Sequence, residues 1–246
     1  MGIVSTFYNG VVELRLDWPA TRNALGPDEG RVLLDAVTQA IDDGARAIVL
    51  AANGKAFCAG GKLDALLRIV EAGGPDAVRD VIYSVFQQLA RTLATAPVPI
   101  IAAVEGPAIG FGCDLALAVD ATFAGPGGWF AQGWARAGLI PATGGIFHAT
   151  RRIGRTGLWR LAAADRIGQA EAADIGLAIA AEDARAAALE MAGRLAALPP
   201  AVVAAMKQLA NTDEFLAHLS RAIDYQVGFF TDPAFPDRAR ALLGKG

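Results

Sequence analysis

Val104-Glu105-Gly106-Pro107-Ala108-Ile109-Gly110-Phe111-Gly112-Cys113-Asp114-Leu115 joins a strand to a helix through a glycine-rich turn. Ile100 to Val104, behind Pro97 and Pro99, is an unbroken apolar run of strand length, and Cys113 to Ala118 reads as a short helix. Glycines in the turn let backbone bend tightly or approach a ligand closely. A helix start also exposes unpaired N–H groups, and its dipole favours negative charge. A second loop of the same kind, Ala56-Phe57-Cys58-Ala59-Gly60-Gly61-Lys62-Leu63, follows a strand over Arg46 to Ala51. Two such amides aimed at one point stabilise a developing oxyanion.

Outward from these loops, strands and helices alternate. Val11 to Leu16 alternates as a strand, and Asp17 to Gly26 is a loop. Pro27-Asp28-Glu29 opens a helix that buries Leu33, Val37, Ala40 and Ile41 and stops at Gly44. Pro75 opens another, with Val78, Ile82, Val85, Phe86, Leu89 and Leu93 on one face. Ala121 to Ala124 reads as a further strand, and Gly125 to Gly145 as a glycine-rich loop. From Thr156 onward the pattern is helical: Thr156 to Ala164, Gln169 to Ile175, Asp183 to Leu198, Pro200 to Leu209 and Asp213 to Phe230. The expected fold is an α/β core with a helical C-terminal region.

Composition narrows the function classes. The 246 residues are 54% hydrophobic and 19% charged, which excludes disorder. The net charge of −3 gives no footprint for nucleic acid. No apolar stretch reaches the length of a membrane span. The start MGIVSTFYNG lacks the basic and apolar regions of a leader, and two cysteines, Cys58 and Cys113, make no disulfide framework. A cytoplasmic protein with reduced thiols is expected. His148 and His218 form no metal-binding pattern; His148 is expected at the surface or an interface, and His218 to be exposed. Gly110-Phe111-Gly112 through Leu115 lacks the third glycine of a dinucleotide-binding turn. The apolar excess must enter a core or subunit contacts.

Five segments in register resemble the crotonase superfamily, the enoyl-CoA hydratase/isomerase family. They are Arg22-Asn23-Ala24-Leu25, the FCAGGKL loop from Phe57, the VEGPAIGFGCDLA loop from Val104, Gly138-Leu139-Ile140-Pro141 with Gly144-Gly145, and Ala170 to Leu177. The resemblance implies a crotonase-like spiral of β-β-α units, with a core over 1–190 and a C-terminal helical oligomerisation region over 191–246. It implies an acyl-CoA substrate, no cofactor beyond the coenzyme A of that substrate, no metal, and a homotrimer or hexamer. Val227, Phe229 and Phe230 are suited to the subunit contact. The N–H groups of Gly61 and Phe111 would form the oxyanion hole. Arg22, Ala24, Ala59, Lys62 and Leu63 would hold the CoA moiety, with Lys62 as a cation near its phosphates.

The departures bear on the reaction. Asp114 stands where hydratases of the family carry one glutamate, and Trp134 stands where they carry the other. An indole transfers no proton at neutral pH. Trp134 is shared with a dehalogenase branch, but Ala142 occupies the position of that branch's nucleophilic aspartate, which dienoyl-CoA isomerases also carry. One carboxylate, Asp114, therefore favours moving a proton along the acyl chain, or slow hydration. Glu105 is a reserve acid. Trp134 and Ala142 would line an acyl pocket for a bulky or aromatic group. The rival reading is a catalytically silent acyl-CoA-binding protein of the same fold.

Overall fold

A computed structural model describes residues 2–210 and 213–244; Met1, Asn211, Thr212, Lys245 and Gly246 lie outside the description, as does the side chain of Asp213. Strands β1 (Gly2–Tyr8) and β2 (Val11–Asp17) form a hairpin turned at Asn9-Gly10, both with positive φ as such a tight turn requires. Helix α1 (Pro27–Asp42) is capped at Gly26, whose N–H donates to the Glu29 carboxylate at 2.9 Å. Strand β3 (Ala47–Ala52) leads through the first glycine loop into α2 (Leu63–Val81), a π-helical turn (Ile82–Gln87) and α3 (Gln88–Thr95).

The helix expected from Pro75 thus begins at Leu63. Gly73-Gly74-Pro75 reads as a helix start, but it is a kink: Gly74 takes φ 62°, ψ −157°, and Pro75 re-enters the helix where its missing N–H is tolerated.

Strand β4 (Ile100–Val104), strand β5 (Pro107–Ile109) and helix α4 (Phe111–Ala118) follow, then β6 (Ala121–Ala124), β7 (Trp129–Ala131) and α5 (Gly145–Ala163). Helix α5 starts well before Thr156 because the break at Gly154 (φ 68°) is again only a kink. The chain continues through β8 (Ile167–Gly168), α6 (Gln169–Asp174), β9 (Ile179–Ala180), α7 (Ala184–Ala196), α8 (Pro200–Ala210), α9 (Asp213–Phe230) and α10 (Phe235–Leu242).

Six strands form one sheet in the order β1-β2-β3-β4-β6-β9, parallel except for β1 against β2. Strands β5, β7 and β8 form a second, small sheet. After the β1-β2 hairpin, whose strands both join the large sheet, successive turns of the chain add one strand to the large sheet, one to the small sheet, and a helix. The units β4-β5-α4 and β6-β7-α5 show this directly, and β3 with the Cys58–Ala108 bridge and α2 repeats it. What the sequence shows as strand–loop–helix is therefore β-β-α.

Alanines 184, 188, 192 and 196 of α7 form a stripe at four-residue spacing against β3 and β4, where small side chains let the helix lie close to the sheet. The 190/191 boundary falls inside this helix. Helices α9 and α10 fold back on α2 of their own chain. Val227 and Phe230 are buried there, so those two residues do not form a free subunit face; Phe229 is 37% exposed. Among the described residues no single helix is long and apolar enough to cross a membrane, and α7 with α8, which together reach the length, are bent by 114°.

Candidate active site

The two glycine loops meet at the C-terminal ends of β3 and β4. Asn23, fully buried, locks the neighbouring chain: its amide nitrogen donates to the carbonyls of Asn53 and Ala56, both at 2.9 Å, and its oxygen accepts from the Trp18 N–H at 2.8 Å. Leu25 bridges Gly61, and Cys58 bridges Ala108, so the loops share ladder bonds. Gly60, at φ 108°, allows the close approach: a Cβ there would sit 2.9 Å from the Ile109 carbonyl oxygen and 3.8 Å from the Phe111 nitrogen. Among the hydrogen bonds of the described residues, neither the Gly61 nor the Phe111 N–H donates to a protein acceptor. The Phe111 N–H opens α4, where the helix dipole adds to its pull on negative charge.

A narrow apolar slot starts at Gly61 and is lined by Leu66, Ile82, Phe86, Phe111, Trp134, Ala142, Thr143, Gln226 and Phe230. The Phe111 side chain turns away from the loop backbone and packs edge-on against Phe86, ring centres 5.0 Å apart. It walls the slot. The indole of Trp134 lies over both loops, its ring 3.5 Å from a Cβ at Gly61 and 3.8 Å from one at Gly110.

Asp114, 1% exposed, lies behind this wall. Its Oδ1 accepts from the Gln132 amide at 2.6 Å; its Oδ2 accepts from the Trp134 indole at 3.1 Å and the Thr143 hydroxyl at 2.8 Å. Burial pushes its pKa up to about 6, against three hydrogen bonds that favour the carboxylate. Of these groups Thr143 and Trp134 line the slot, and Asp114 reaches it through them.

Other expected residues take different places. Lys62 pairs with Glu29 at 2.6 Å, whereas Arg22, exposed, makes no ion pair among the described residues. Ala24, Ala59 and Leu63 are half-buried beside the loop, and the Ala59 N–H donates to the Arg22 carbonyl at 3.0 Å. Glu105 accepts from the Arg185 N–H and lines a separate hollow with Ala51, Gly54 and Phe57, away from the slot. His148 is buried rather than at a surface, packed on Phe215 at 4.7 Å, and burial pushes its pKa down to about 3. His218 is half-buried against Phe147, not exposed. Burial pushes the Cys58 thiol up to about 12.

A family model described as enoyl-CoA hydratase/isomerase matches residues 6–240. The chain belongs to the enoyl-CoA hydratase/isomerase family. It is 34% identical over 171 residues to a probable enoyl-CoA hydratase of Rhodobacter capsulatus, covering 68% of this chain and 63% of that one. It is 35% identical over 157 residues to the 1,2-epoxyphenylacetyl-CoA isomerase of Escherichia coli, covering 62% and 58%. These alignments span about three fifths of the relatives' lengths. The crystal structure of an enoyl-CoA hydratase/isomerase from Mycobacterium paratuberculosis superposes with a TM-score of 0.88 at 26% identity, covering 97% of each chain.

In this enoyl-CoA hydratase/isomerase family member, sequence reasoning missed Gln132, Thr143, Gln87 and Gln226. Gln87 donates to the carbonyls of Ala142 and Leu219, both at 2.8 Å, and so ties the slot wall to α9. A polar residue amid apolar neighbours is the available signal, but the partner of each lies far along the chain.

Proposed function

We propose that the protein binds an acyl-CoA thioester and stabilises its enolate, with Asp114 as the acid/base. The carrying observation is the pair of acceptor-free N–H groups, Gly61 and Phe111, on loops held side by side at the mouth of an apolar slot. The thioester oxygen would accept from both, which acidifies the α-carbon. One such donor is worth about 3–4 kcal/mol of transition-state stabilisation. A proton leaving the α-carbon passes to the Thr143 oxygen as the Thr143 hydroxyl proton moves to Asp114 Oδ2. The reverse transfer at another carbon completes an isomerisation. A carboxyl near pKa 6 suits both directions.

The CoA moiety lies along Arg22, Ala24, Ala59 and Leu63 in this reading. Arg22 supplies a cation; Lys62 serves the phosphates only by leaving Glu29. The aromatic lining favours a bulky or aromatic acyl group, and the likeness to an epoxyphenylacetyl-CoA isomerase supports that direction. A homotrimer or hexamer in the cytoplasm completes the proposal.

The test is a panel of 2-enoyl-, 3-enoyl- and aryl-acyl-CoA esters. Turnover should appear, and Asp114→Asn and Asp114→Ala should each abolish it. Full activity in both variants would reject Asp114. The second reading, a silent acyl-CoA binder, is favoured by Trp134 and Ala142 at the family's acid positions. Tight binding with no turnover across the panel would establish it.

A further inference from the structure

We propose that Gln226 reads an oxygen on the acyl group, so that the slot selects acyl chains carrying a hydrogen-bond acceptor away from the thioester. This rests on the acyl-CoA reading above. Gln226 lies on α9, is 3% exposed and lines the slot. Its Oε1 accepts from the Ile140 N–H at 2.9 Å. A backbone N–H can only donate, so the amide oxygen must face Ile140, and the NH2 group is turned away from it. Among the described residues no acceptor meets that nitrogen.

The rest of the lining gives the nitrogen nothing to bond. Leu66, Ile82, Phe86, Phe111 and Phe230 are apolar, and among the hydrogen bonds of the described residues none runs from the Gln226 nitrogen to the Thr143 oxygen, the lining's one side-chain acceptor besides Gln226 itself. Apart from the Gly61 and Phe111 N–H groups assigned to the thioester, the Gln226 amide is the uncommitted donor of the slot among the described residues, the Trp134 and Thr143 protons going to Asp114. A wholly apolar acyl group would strand that donor, whereas a ketone, hydroxyl or ether oxygen would satisfy it. Sites built to hydrogen-bond a substrate group discriminate strongly against analogues that lack it. Gln226 is thus a specificity residue set apart from the acid/base.

Calorimetric titration separates the possibilities without requiring turnover. Saturated heptanoyl-CoA esters bearing a ketone at C4, C5 or C6 are compared, each with its methyl-branched counterpart. At one or more positions the ketone should bind wild type about tenfold more tightly than its apolar match, and Gln226→Met should erase that preference while still binding the branched ester. The wild-type comparison needs no variant, so it stands even where Gln226→Met folds poorly. Equal affinities at all three positions, or a preference that persists in Gln226→Met, would overturn the role of Gln226 alone. Failure of every ester to bind would remove the acyl-CoA reading and this inference with it.

Discussion

Asp114 couples the site to pH. Its ionised form is the base, so turnover should rise with pH through about 6, and that limb should vanish in Asp114→Asn. Trp134→Phe keeps a ring over the loops but removes a donor to the carboxylate. A hydrogen bond to the charged form lowers a pKa, so its loss should move the limb to higher pH. Stability has its own sign. Burial raises the folded pKa above the unfolded one, so the stabilising contribution is present at low pH and lost as pH rises through about 6. The advantage of wild type over Asp114→Asn in urea unfolding should therefore shrink from about pH 4 to about pH 6 and change little above that. Gly145→Ala tests position rather than charge: its Cβ would come 2.0 Å from Asp114 Oδ1. It should cost about 1–3 kcal/mol of stability and depress turnover with Asp114 itself intact. Gly61, Phe111 and Asp114 are legible in sequence because a glycine pattern is local. Thr143 and Gln132 are not, because their bonds to Asp114 span 29 and 18 residues and exist only once the loops have met.

At the scale of elements, legibility follows length and periodicity. Helices α1 and α7 and strands β3 and β4 carry enough turns or apolar residues to be read directly. Strands β5 and β7 have three residues each, too few for a pattern, so the β-β-α unit is hidden in its loops. The π-helical turn is likewise silent in sequence, though it places Ile82 and Phe86 on the slot and Gln87 between the Ala142 loop and α9. Helix α8 illustrates a partnership that only packing creates. Val203 and Lys207, four apart, face inward, and the Lys207 ammonium donates to Asp120 at 2.7 Å and to the carbonyls of Leu93 and Val98. Truncating one member of a buried, hydrogen-bonded pair typically costs about 3–5 kcal/mol. Asp120 is a third exposed, which softens that figure, so Lys207→Ala should lower stability by about 2–4 kcal/mol in chemical denaturation. Unchanged stability would mean that α8 is held by Val203 and its apolar neighbours.

For the whole molecule, the apolar excess divides between two destinations. The larger part fills the core, and the C-terminal helices add to it: Phe230 closes the slot, and Val227, on α9, joins the main core. The sequence marks these residues as apolar but not whose surface they cover, since a helix that folds back on its own chain and one that reaches a neighbour have the same pattern. Part of the remainder stays exposed on α8, where Val202, Met206 and Leu209 recur at helical spacing, 53%, 63% and 82% exposed. An exposed apolar stripe of this kind is suited to an interaction surface. If the protein assembles as proposed, α8 and not the Val227–Phe230 turn supplies the contact. Sedimentation should then show a trimer or hexamer for wild type and a smaller species for Met206→Glu, with helical content unchanged. Val227→Glu should instead unfold or empty the slot region, because that side chain is already buried within its own chain. A Met206→Glu protein that sediments as wild type would move the contact off α8.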